Sequence, residues 1–415
     1  MSAFLQLAFL ISVILFSAKL AGYLSTRLGQ PSVLGELIVG ILLGPSLLNL
    51  LNLPFIDHSM VEVIAEFSEL GVLLLMFLAG LELHFGEMRR NWRVSASAGF
   101  LGVVFPILMG WGAGLLLGLG QAVSLFLGLT LGATSVSISA QTLIELKVLR
   151  SRVGLSLLGA AVFDDILIIL FLSVFLGIQG GGETSTSLLL IVVRMALFLI
   201  FSILLGLWGL PWLIRRTSQL PISQGLLTIS LIVMFGYGIA AEFFGGMAAI
   251  TGAFLAGLML GRCPEKERIE AGTHALAYGL FVPVFFVNIG LSINLRDFRL
   301  DSLLMTLVII IVAVVGKWLG AGWGARLGGL PKPEAVQLGA GMISRGEVGL
   351  IVANVGILEG FLLDSEFSAI VMMVLVTTLV TPPILRHLFA QKKVGGEKKS
   401  SKDAQAGVQS DAPET

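Results

Sequence analysis

Long apolar stretches alternate with short clusters of polar, charged or turn-forming residues along most of the chain. Most of these stretches reach the length of about 20 residues with which an α-helix crosses a bilayer. Numbered from the N-terminus, the predicted segments cover 4–23, 32–51, 60–83, 94–119, 121–146, 153–178, 185–213, 221–243, 246–261, 269–293, 302–325, 334–358 and 366–389. The pattern therefore predicts an all-α polytopic membrane protein with 13 transmembrane helices.

The composition supports this fold class and excludes several functions. Of the 415 residues, 56% are hydrophobic and only 13% are charged, whereas soluble domains average about 25% charged residues. The 26 Lys and Arg residues balance the 26 Asp and Glu residues, so no net positive field would attract nucleic acid. The single cysteine, Cys263, cannot form an internal disulfide, and the four histidines lack ligand spacing. We expect no cofactor, no metal centre and no enzyme active site.

Basic residues are divided unequally between the two sets of alternating loops. Cytoplasmic loops retain Lys and Arg, and one set carries 14 of these residues while the other carries 2. The richer set comprises Arg27, Arg89, Arg90, Arg93, Lys147, Arg150, Arg152, Arg215, Arg216, Arg262, Lys266, Arg268, Arg326 and Lys332, and the poorer set comprises Arg296 and Arg299. This alternation predicts a multi-pass protein of the cell membrane, with its N-terminus outside and its C-terminus in the cytoplasm.

The chain ends in a polar stretch, residues 391–415, that is rich in Lys, Ser, Gly and Ala. Such a composition buries too little apolar surface to fold by itself. We expect a membrane domain over residues 1–390, followed by a disordered cytoplasmic tail whose lysines enforce the topology and touch anionic lipid headgroups.

Several cations fall inside the predicted spans, where each costs about 3 kcal/mol or more unless it finds a partner or an aqueous cavity. Lys19 and Arg194 lie near a membrane face, which their long side chains can reach by snorkelling. Lys317 lies about 15 residues into segment 11, near the midplane. We therefore expect Lys317 to be paired with an acidic side chain.

The adjacent carboxylates Asp164 and Asp165 lie near the middle of segment 6. Neighbouring positions on a helix point about 100° apart, so the two side chains face different surroundings. One of them can pair with Lys317 while the other faces a cavity. A purely structural ion pair needs one aspartate and leaves the second unexplained, whereas ionisable residues inside a membrane generally mark an ion or proton pathway.

Segments 5 and 12 are apolar runs that are interrupted near their centres. Segment 5 contains the small, hydroxylated stretch 132–139, and segment 12 contains several glycines with Ser344, Arg345 and Glu347. Such stretches form helices poorly, and their hydroxyl groups can satisfy the backbone groups that unwinding sets free. The alternative for segment 5 is a serine-rich helix interface that stays helical.

The interrupted segments stand second in two units of three helices, segments 4–6 and 11–13. Because the units are an odd number of spans apart, they have opposite orientations in the bilayer. This is the arrangement of inverted-repeat secondary transporters, in which the ends of half-helices point at an ion site near the midplane.

At these residues the chain resembles the monovalent cation:proton antiporter-2 family, which includes the NapA-type sodium/proton antiporters and the Kef potassium efflux systems. The matching stretches, in family order, are RLGQPSVLGELIVGILLGPSLL (27–48), ELGVLLLMFLAGLEL (69–83), GATSVSISAQTLIEL (132–146), LGAAVFDDIL (158–167), ITGAFLAGLMLG (250–261), VPVFFVNIGLSINL (282–295), VVGKWLGAGWGARLG (314–328) and MISRGEVGLIVANVGI (342–357). They cover nearly the whole membrane portion and are highly specific as a set.

The resemblance implies an inverted-repeat antiporter fold in which the two discontinuous segments cross, and a homodimer of 13-helix protomers. It implies that Asp165 is the ion- and proton-binding carboxylate and that Asp164 forms a salt bridge with Lys317. The discontinuous helices would line the site with Thr134, Ser135, Arg345 and Glu347. The transported Na⁺ would be held by Asp165, Asp164 and Thr134.

The same resemblance implies a secondary active antiporter that exchanges a monovalent cation, Na⁺ or Li⁺, for H⁺. In this family an Asp-Asp pair with a lysine accompanies electrogenic exchange, in which cation and proton compete for one aspartate at the midplane. A Kef-like K⁺/H⁺ antiporter is the alternative, although Kef systems usually carry Gln-Asp and a nucleotide-binding tail. A channel would need a continuous polar path, which the apolar flanks of the aspartates argue against, and a membrane sensor would need a signalling appendage.

Overall fold

The computed structural model describes residues 1–57, 59–82, 91–179, 184–218, 223–292 and 303–409, and among these residues the regular structure is helical, without a strand. Within this described part, ten helical stretches are long and apolar enough to cross a membrane. Shorter apolar helices, Ser32–Leu43, Ala249–Leu260 and Val348–Ile357, lie inside the predicted segments 2, 9 and 12. The prediction of an all-helical chain with many apolar spans is confirmed.

The helices follow the order of the predicted segments. They are α1 (Ala3–Arg27), α2 (Ser32–Leu43), α3 (Ser59–Glu82), α4 (Trp92–Leu116), α5 (Gln121–Gly132), α6 (Val136–Glu145), α7 (Arg152–Gln179), α8 (Thr184–Leu204), α9 (Leu210–Ser218), α10 (Gly225–Ala240), α11 (Ala249–Leu260), α12 (Lys266–Leu276), α13 (Val282–Leu291), α14 (Leu303–Leu327), α15 (Lys332–Gly341), α16 (Glu347–Leu358) and α17 (Asp364–Gln409). Segments 5 and 12 are each divided, into α5 and α6 and into α15 and α16.

Wide π turns occur in segments 7, 8 and 10, at Leu205–Gly209, Ala241–Gly245 and Ala277–Phe281. Such turns depart from the α-helical hydrogen-bond ladder, and side chains can bind the carbonyl groups there. Lys19 donates to the carbonyl oxygen of Tyr278 at 2.9 Å. Arg194 donates to those of Phe243 and Phe244 at 2.8 and 3.1 Å. Backbone carbonyls thus bind these two exposed cations, and their snorkelling to a membrane face stays a prediction.

Apart from α8 and α9, the helices pack as two groups. In the first, which we call the broken-helix group (α4–α7 and α14–α17), α4 packs on α5, α7 and α14, and α14 also packs on α15 and α17. In the second, the flanking group (α1–α3 and α10–α13), α3 packs on α11 and α13, and α2 packs on α1 and α13.

Half-helix α6 lies where the two groups meet, because it packs on α2 and α3 as well as on α7 and α17. Near its end, the Glu145 carboxylate accepts hydrogen bonds from the backbone N and the Oγ of Ser32, both at 2.6 Å. Ser32 begins α2, so a side chain of the broken-helix group satisfies a free N–H group at the start of a flanking helix.

Glycines on α14 allow α4 to approach closely. Gly316, Gly320 and Gly324 recur at four-residue spacing, which predicts tight packing against another helix. A Cβ atom at Gly320 would collide with the carbonyl group of Leu101, and one at Gly324 with that of Ser97. The contact joins the first helices of the two three-helix units.

Parts of the predicted topology lie outside the described residues. These are Arg89, Arg90, Arg296 and Arg299 of the loop comparison, and residues 410–415 of the tail. Helix α17 continues to Gln409 and so includes most of the stretch that its composition predicts to be disordered. That disorder, and the division of the chain near residue 390, stay predictions.

Replacing Gly324 with Ala should lower the thermal stability of the purified protein, because the added methyl group forces α14 away from the backbone of Ser97. Overpacking of this kind costs about 1–3 kcal/mol. The matched control is Gly236→Ala on α10, where an added Cβ meets no atom within 4 Å. Thermal unfolding in detergent checks the prediction. If Gly324→Ala and the control had the same melting temperature, the crossing of α4 and α14 would accommodate the added methyl group, and the prediction would be wrong.

Candidate functional site

Two helix breaks in the broken-helix group lie side by side. Helix α5 ends at Gly132 and α6 begins at Val136, whereas α15 ends at Gly341 and α16 begins at Glu347. Each break leaves N–H and C=O groups without the partners that a continuous helix would provide. These groups must find partners inside the protein, because a bilayer offers none.

Serine side chains and backbone groups join the two breaks directly. The backbone N of Ser135 donates to the carbonyl oxygen of Ser344 at 2.9 Å, and Ser344 Oγ donates to the carbonyl oxygen of Ser135 at 2.7 Å. Ser139 Oγ lies 3.1 Å from Ser344 Oγ and also donates to the carbonyl oxygen of Gly341. The small, hydroxylated composition of segment 5 therefore supplies the contacts by which the breaks cross.

Lys317 of α14 lies fully buried beside this crossing. Its Nζ donates to Asp164 Oδ1 and to the carbonyl oxygen of Gly132, both at 2.6 Å. Gly132 is the last residue of α5, whose C-terminal end carries partial negative charge. One ammonium group thus compensates both a carboxylate and the end of a half-helix.

Arg345 is also fully buried, in the break between α15 and α16. Its guanidinium donates to the carbonyl oxygens of Leu131, Ala313, Met342 and Ile343, at 2.7 to 3.2 Å. Leu131 belongs to the last turn of α5, and Met342 and Ile343 follow α15 directly. Arg345 therefore compensates the negative ends of both half-helices, as Lys317 does for α5.

The backbone of Arg345 is held by α17. Thr378 Oγ1 donates to the carbonyl oxygen of Arg345 at 2.6 Å, and the backbone N of Arg345 donates to Thr377 Oγ1 at 3.3 Å. Sequence reasoning did not select these two threonines. Segment 13 contains several other polar residues, so the pattern does not single out this pair.

Asp165 points to different surroundings from Asp164, as expected for neighbours on a helix. It lines a cavity of about 10 Å³, which is the space of about one water molecule. The other residues that line the cavity are Met76, Val136, Leu158, Val162, Ile250, Thr251 and Phe254. Thr251 Oγ1 lies 3.3 Å from Asp165 Oδ2 and donates to it. Because α3 and α11 supply part of the lining, Asp165 faces the flanking group.

Two buried oxygen atoms, Asp164 Oδ2 and Thr134 Oγ1, make no hydrogen bond of ordinary geometry within the described chain. Their side chains are nevertheless close enough to interact. Thr134 lies in the break before α6, next to Asp164. Buried polar atoms nearly always have a partner, so this pair of oxygens is suited to binding a cation.

The remaining predicted residues lie at the same place. Ser135 precedes α6 and bonds to the opposite break, as described above, and Glu347 begins α16. The side chain of Glu347 lies outside what the structure describes. Thr251 lies in the ITGAFLAGLMLG stretch, where a single hydroxyl group in an apolar run carries no distinctive signal.

Charge balance limits what the site can bind. Asp164, Asp165, Lys317 and Arg345 are at most 6% exposed. With both aspartates ionised and both cations protonated, the charges of these four side chains cancel. A bound monovalent cation would add one positive charge in a low-dielectric region, and this is costly unless a proton leaves.

Comparisons with known proteins agree with this geometry. The family model described as "Sodium/hydrogen exchanger, transmembrane" matches residues 13–391. The chain is 41% identical over 384 residues to the Na⁺/H⁺-K⁺ antiporter GerN of Bacillus cereus, which covers 92% of this chain and 96% of GerN. It is 34% identical over 379 residues to a Na⁺/H⁺ antiporter of Enterococcus hirae, covering 91% of this chain and 97% of that protein.

The fold also matches a solved structure, that of the sodium/proton antiporter MjNhaP1 from Methanocaldococcus jannaschii at pH 8. The TM-score is 0.62 at 18% sequence identity, and the match covers 94% of this chain and 98% of that one. At this identity the match shows a shared fold only. The family model covers most of the chain, and the two relatives align over nearly its full length. We conclude that the chain belongs to the sodium/hydrogen exchanger family, as its resemblance predicted.

Proposed function

We propose that the protein is a secondary active antiporter that exchanges Na⁺ or Li⁺ for H⁺ across the cell membrane, with net movement of charge. One observation carries the proposal, namely that two adjacent buried carboxylates have unlike surroundings. Asp164 lies 2.6 Å from Lys317, whereas Asp165 faces a small cavity between the helix groups. Membership in the family agrees with it, as do the names of GerN and of the Enterococcus hirae relative, both of which are antiporters.

Asp165 is the carrier in this proposal. A carboxyl group in a low-dielectric cavity is most stable when its charge is compensated, by a proton or by a bound cation. A protonated carboxyl group has lost the negative charge that binds a cation, and a bound cation in turn disfavours protonation. Exchange then follows from competition, because a cation that binds must displace the proton.

Asp164 and Lys317 form a second unit that responds to the cation. Support comes from Asp164 Oδ2, the carboxylate oxygen that Lys317 does not bind, and from Thr134 Oγ1. Both are buried without a hydrogen bond of ordinary geometry among the described residues. When Na⁺ binds to these oxygens and to Asp165, it weakens the hold of Asp164 on Lys317, whose proton then leaves. Because Asp165 and Lys317 then each release a proton when one Na⁺ binds, each transport cycle moves net charge, which is worth about 2.3 kcal/mol per elementary charge for each 100 mV.

The broken-helix group carries the site across the membrane against the flanking group, as inverted-repeat transporters do. The separate packing of the two groups supports this division. The remaining parts of the proposal are 13 spans, an N-terminus outside the cell, a cytoplasmic C-terminus and a homodimer. The loop charges, together with ten long helices and three short ones in the described chain, support this topology.

Potassium is the alternative cation. The relative GerN is named a Na⁺/H⁺-K⁺ antiporter, which supports this alternative. A Kef-like K⁺/H⁺ exchanger would use the same fold and the same carboxylate, and would differ in the cation that displaces the proton.

Proteoliposomes that contain a pH-sensitive dye test the function. After acidification of the lumen, addition of Na⁺ or Li⁺ should restore the dye signal, whereas choline should not. Asp165→Asn should remove the response, because an amide can neither release a proton nor compensate a cation. The matched control Asp57→Asn changes a loop aspartate that is bonded to Gln6, and it should transport like the wild type.

The cation panel separates the candidates. A response to K⁺ alone would move the assignment to the potassium exchanger. Substantial exchange by a well-folded Asp165→Asn protein would contradict the role of Asp165 as carrier.

Replacing Lys317 with Ala should destabilise the protein, because Asp164 is left buried without its partner. Breaking a buried pair in this way costs about 3–5 kcal/mol. Lys19→Ala is the matched control, since Lys19 is exposed, donates to a carbonyl oxygen and interacts with the buried Glu36 only through its charge. The double variant Asp164→Asn with Lys317→Gln removes both charges and should recover much of the lost stability.

Thermal unfolding and solid-supported membrane electrophysiology check this prediction. The double variant should give a much smaller transport current than the wild type. A Lys317→Ala protein with wild-type melting and a wild-type current would show that the pair contributes neither stability nor charge movement.

A further inference from the structure

Thr251 connects the carrier carboxylate to the helix group that it moves against. The residue lies in the first turn of α11, three positions after Ala248, the residue that caps this helix. Its hydroxyl group donates to Asp165 Oδ2 at 3.3 Å. Thr251 is 3% exposed and Asp165 is 6% exposed. The contact is therefore a buried polar contact between α7 of the broken-helix group and α11 of the flanking group.

The surroundings of this contact are apolar. Apart from Asp165 and Thr251, the residues that line the cavity within the described chain are aliphatic, methionine or phenylalanine side chains. Packing of this kind does not distinguish one charge state of Asp165 from another. The hydroxyl group of Thr251 and the first turn of α11 do distinguish them.

An ionised carboxylate gains more from these two partners than a neutral one. Hydrogen bonds to a charged acceptor are roughly twice as strong as those between neutral groups. The N-terminal end of a helix carries partial positive charge and favours a negative group nearby. Proton binding or cation binding at Asp165 reduces its negative charge and weakens both interactions.

An antiporter must prevent its empty carrier from crossing the membrane. If the unloaded, ionised site moved freely, the cation would run downhill without a returning proton, and the exchange would be uncoupled. We propose that Thr251 is a positioning residue that holds the empty, ionised Asp165 against the flanking group and so suppresses this leak. The proposal rests on the function proposed above and adds to it the group that enforces coupling.

Replacing Thr251 with Val tests the proposal, because valine keeps the shape of the side chain and removes its donor. Thr251→Ser keeps the donor and should behave as the wild type. The matched control is Thr381→Val on α17, whose buried hydroxyl group bonds only to the carbonyl of Thr377 in its own helix among the described contacts. A purely structural role would affect Val and Ser variants through stability and would leave coupling unchanged.

The measurement is the ratio of sodium ions to protons moved. Proteoliposomes loaded with radioactive Na⁺ are diluted into sodium-free buffer at the same alkaline pH, with the membrane potential clamped, and both fluxes are recorded. Protons are scarce under these conditions, so a coupled exchanger releases sodium slowly. Thr251→Val should release sodium about tenfold faster than the wild type, which corresponds to the loss of one charge-assisted hydrogen bond. Its Na⁺:H⁺ ratio should rise accordingly.

The outcomes separate this inference from the proposed function. A Thr251→Val protein with the wild-type ratio, whether its flux is normal or reduced, would overturn the inference. The proposed function would stand as long as Asp165→Asn abolishes exchange in the same preparation. If the valine variant does not fold, Thr251→Ala gives the same test, with Thr251→Ser again as the donor-retaining control.

Discussion

The site depends on one constraint, which is that charges buried in a bilayer must be compensated within the protein. Lys317 meets this constraint by bonding at 2.6 Å both to Asp164 and to the last carbonyl of α5. Arg345 meets it through carbonyl oxygens at the ends of α5 and α15. The helix breaks therefore do more than open space for an ion, because they also expose backbone carbonyl groups. The freed carbonyls give two buried cations their partners, and those cations in turn make two buried carboxylates tolerable.

This compensation also explains how a small site can exchange ions. The four buried side chains have no net charge when both aspartates are ionised, and a proton on Asp165 or a bound cation each adds one positive charge. Holding both would leave an excess that the loss of one of them removes. Asp165 is the group most open to such exchange, because it faces the cavity between the helix groups. In the account developed here, Thr251 adds a restraint that acts when Asp165 holds neither ligand. The same carboxylate would then bind the cation, return the proton and, when it is empty and ionised, hold the site against the flanking group.

Much of this arrangement could be predicted from the residue pattern, because burying a charge or breaking a helix inside a membrane is energetically costly. Lys317 and the aspartates lie too deep in apolar segments to reach water, and the small residues of segments 5 and 12 are too weak as helix formers to hold a continuous helix. Neither residue pattern nor helix geometry says which aspartate turns towards Lys317. That assignment came from family resemblance, and the structure joins Lys317 to Asp164. Thr251, Thr377 and the π turns could not be predicted, since each depends on a contact between distant segments. The short lengths of α2 and α11 likewise differ from the full spans expected for segments 2 and 9.

The central claim is that cation and proton exclude one another at Asp165. It is tested most directly by titrating Na⁺ into the purified protein in weakly buffered solution while protons and heat are recorded together. The account predicts that Na⁺ binding releases protons, that apparent affinity falls as the solution becomes more acidic, and that Asp165→Asn releases none. Sodium binding that releases no protons and has the same affinity at every pH would contradict it.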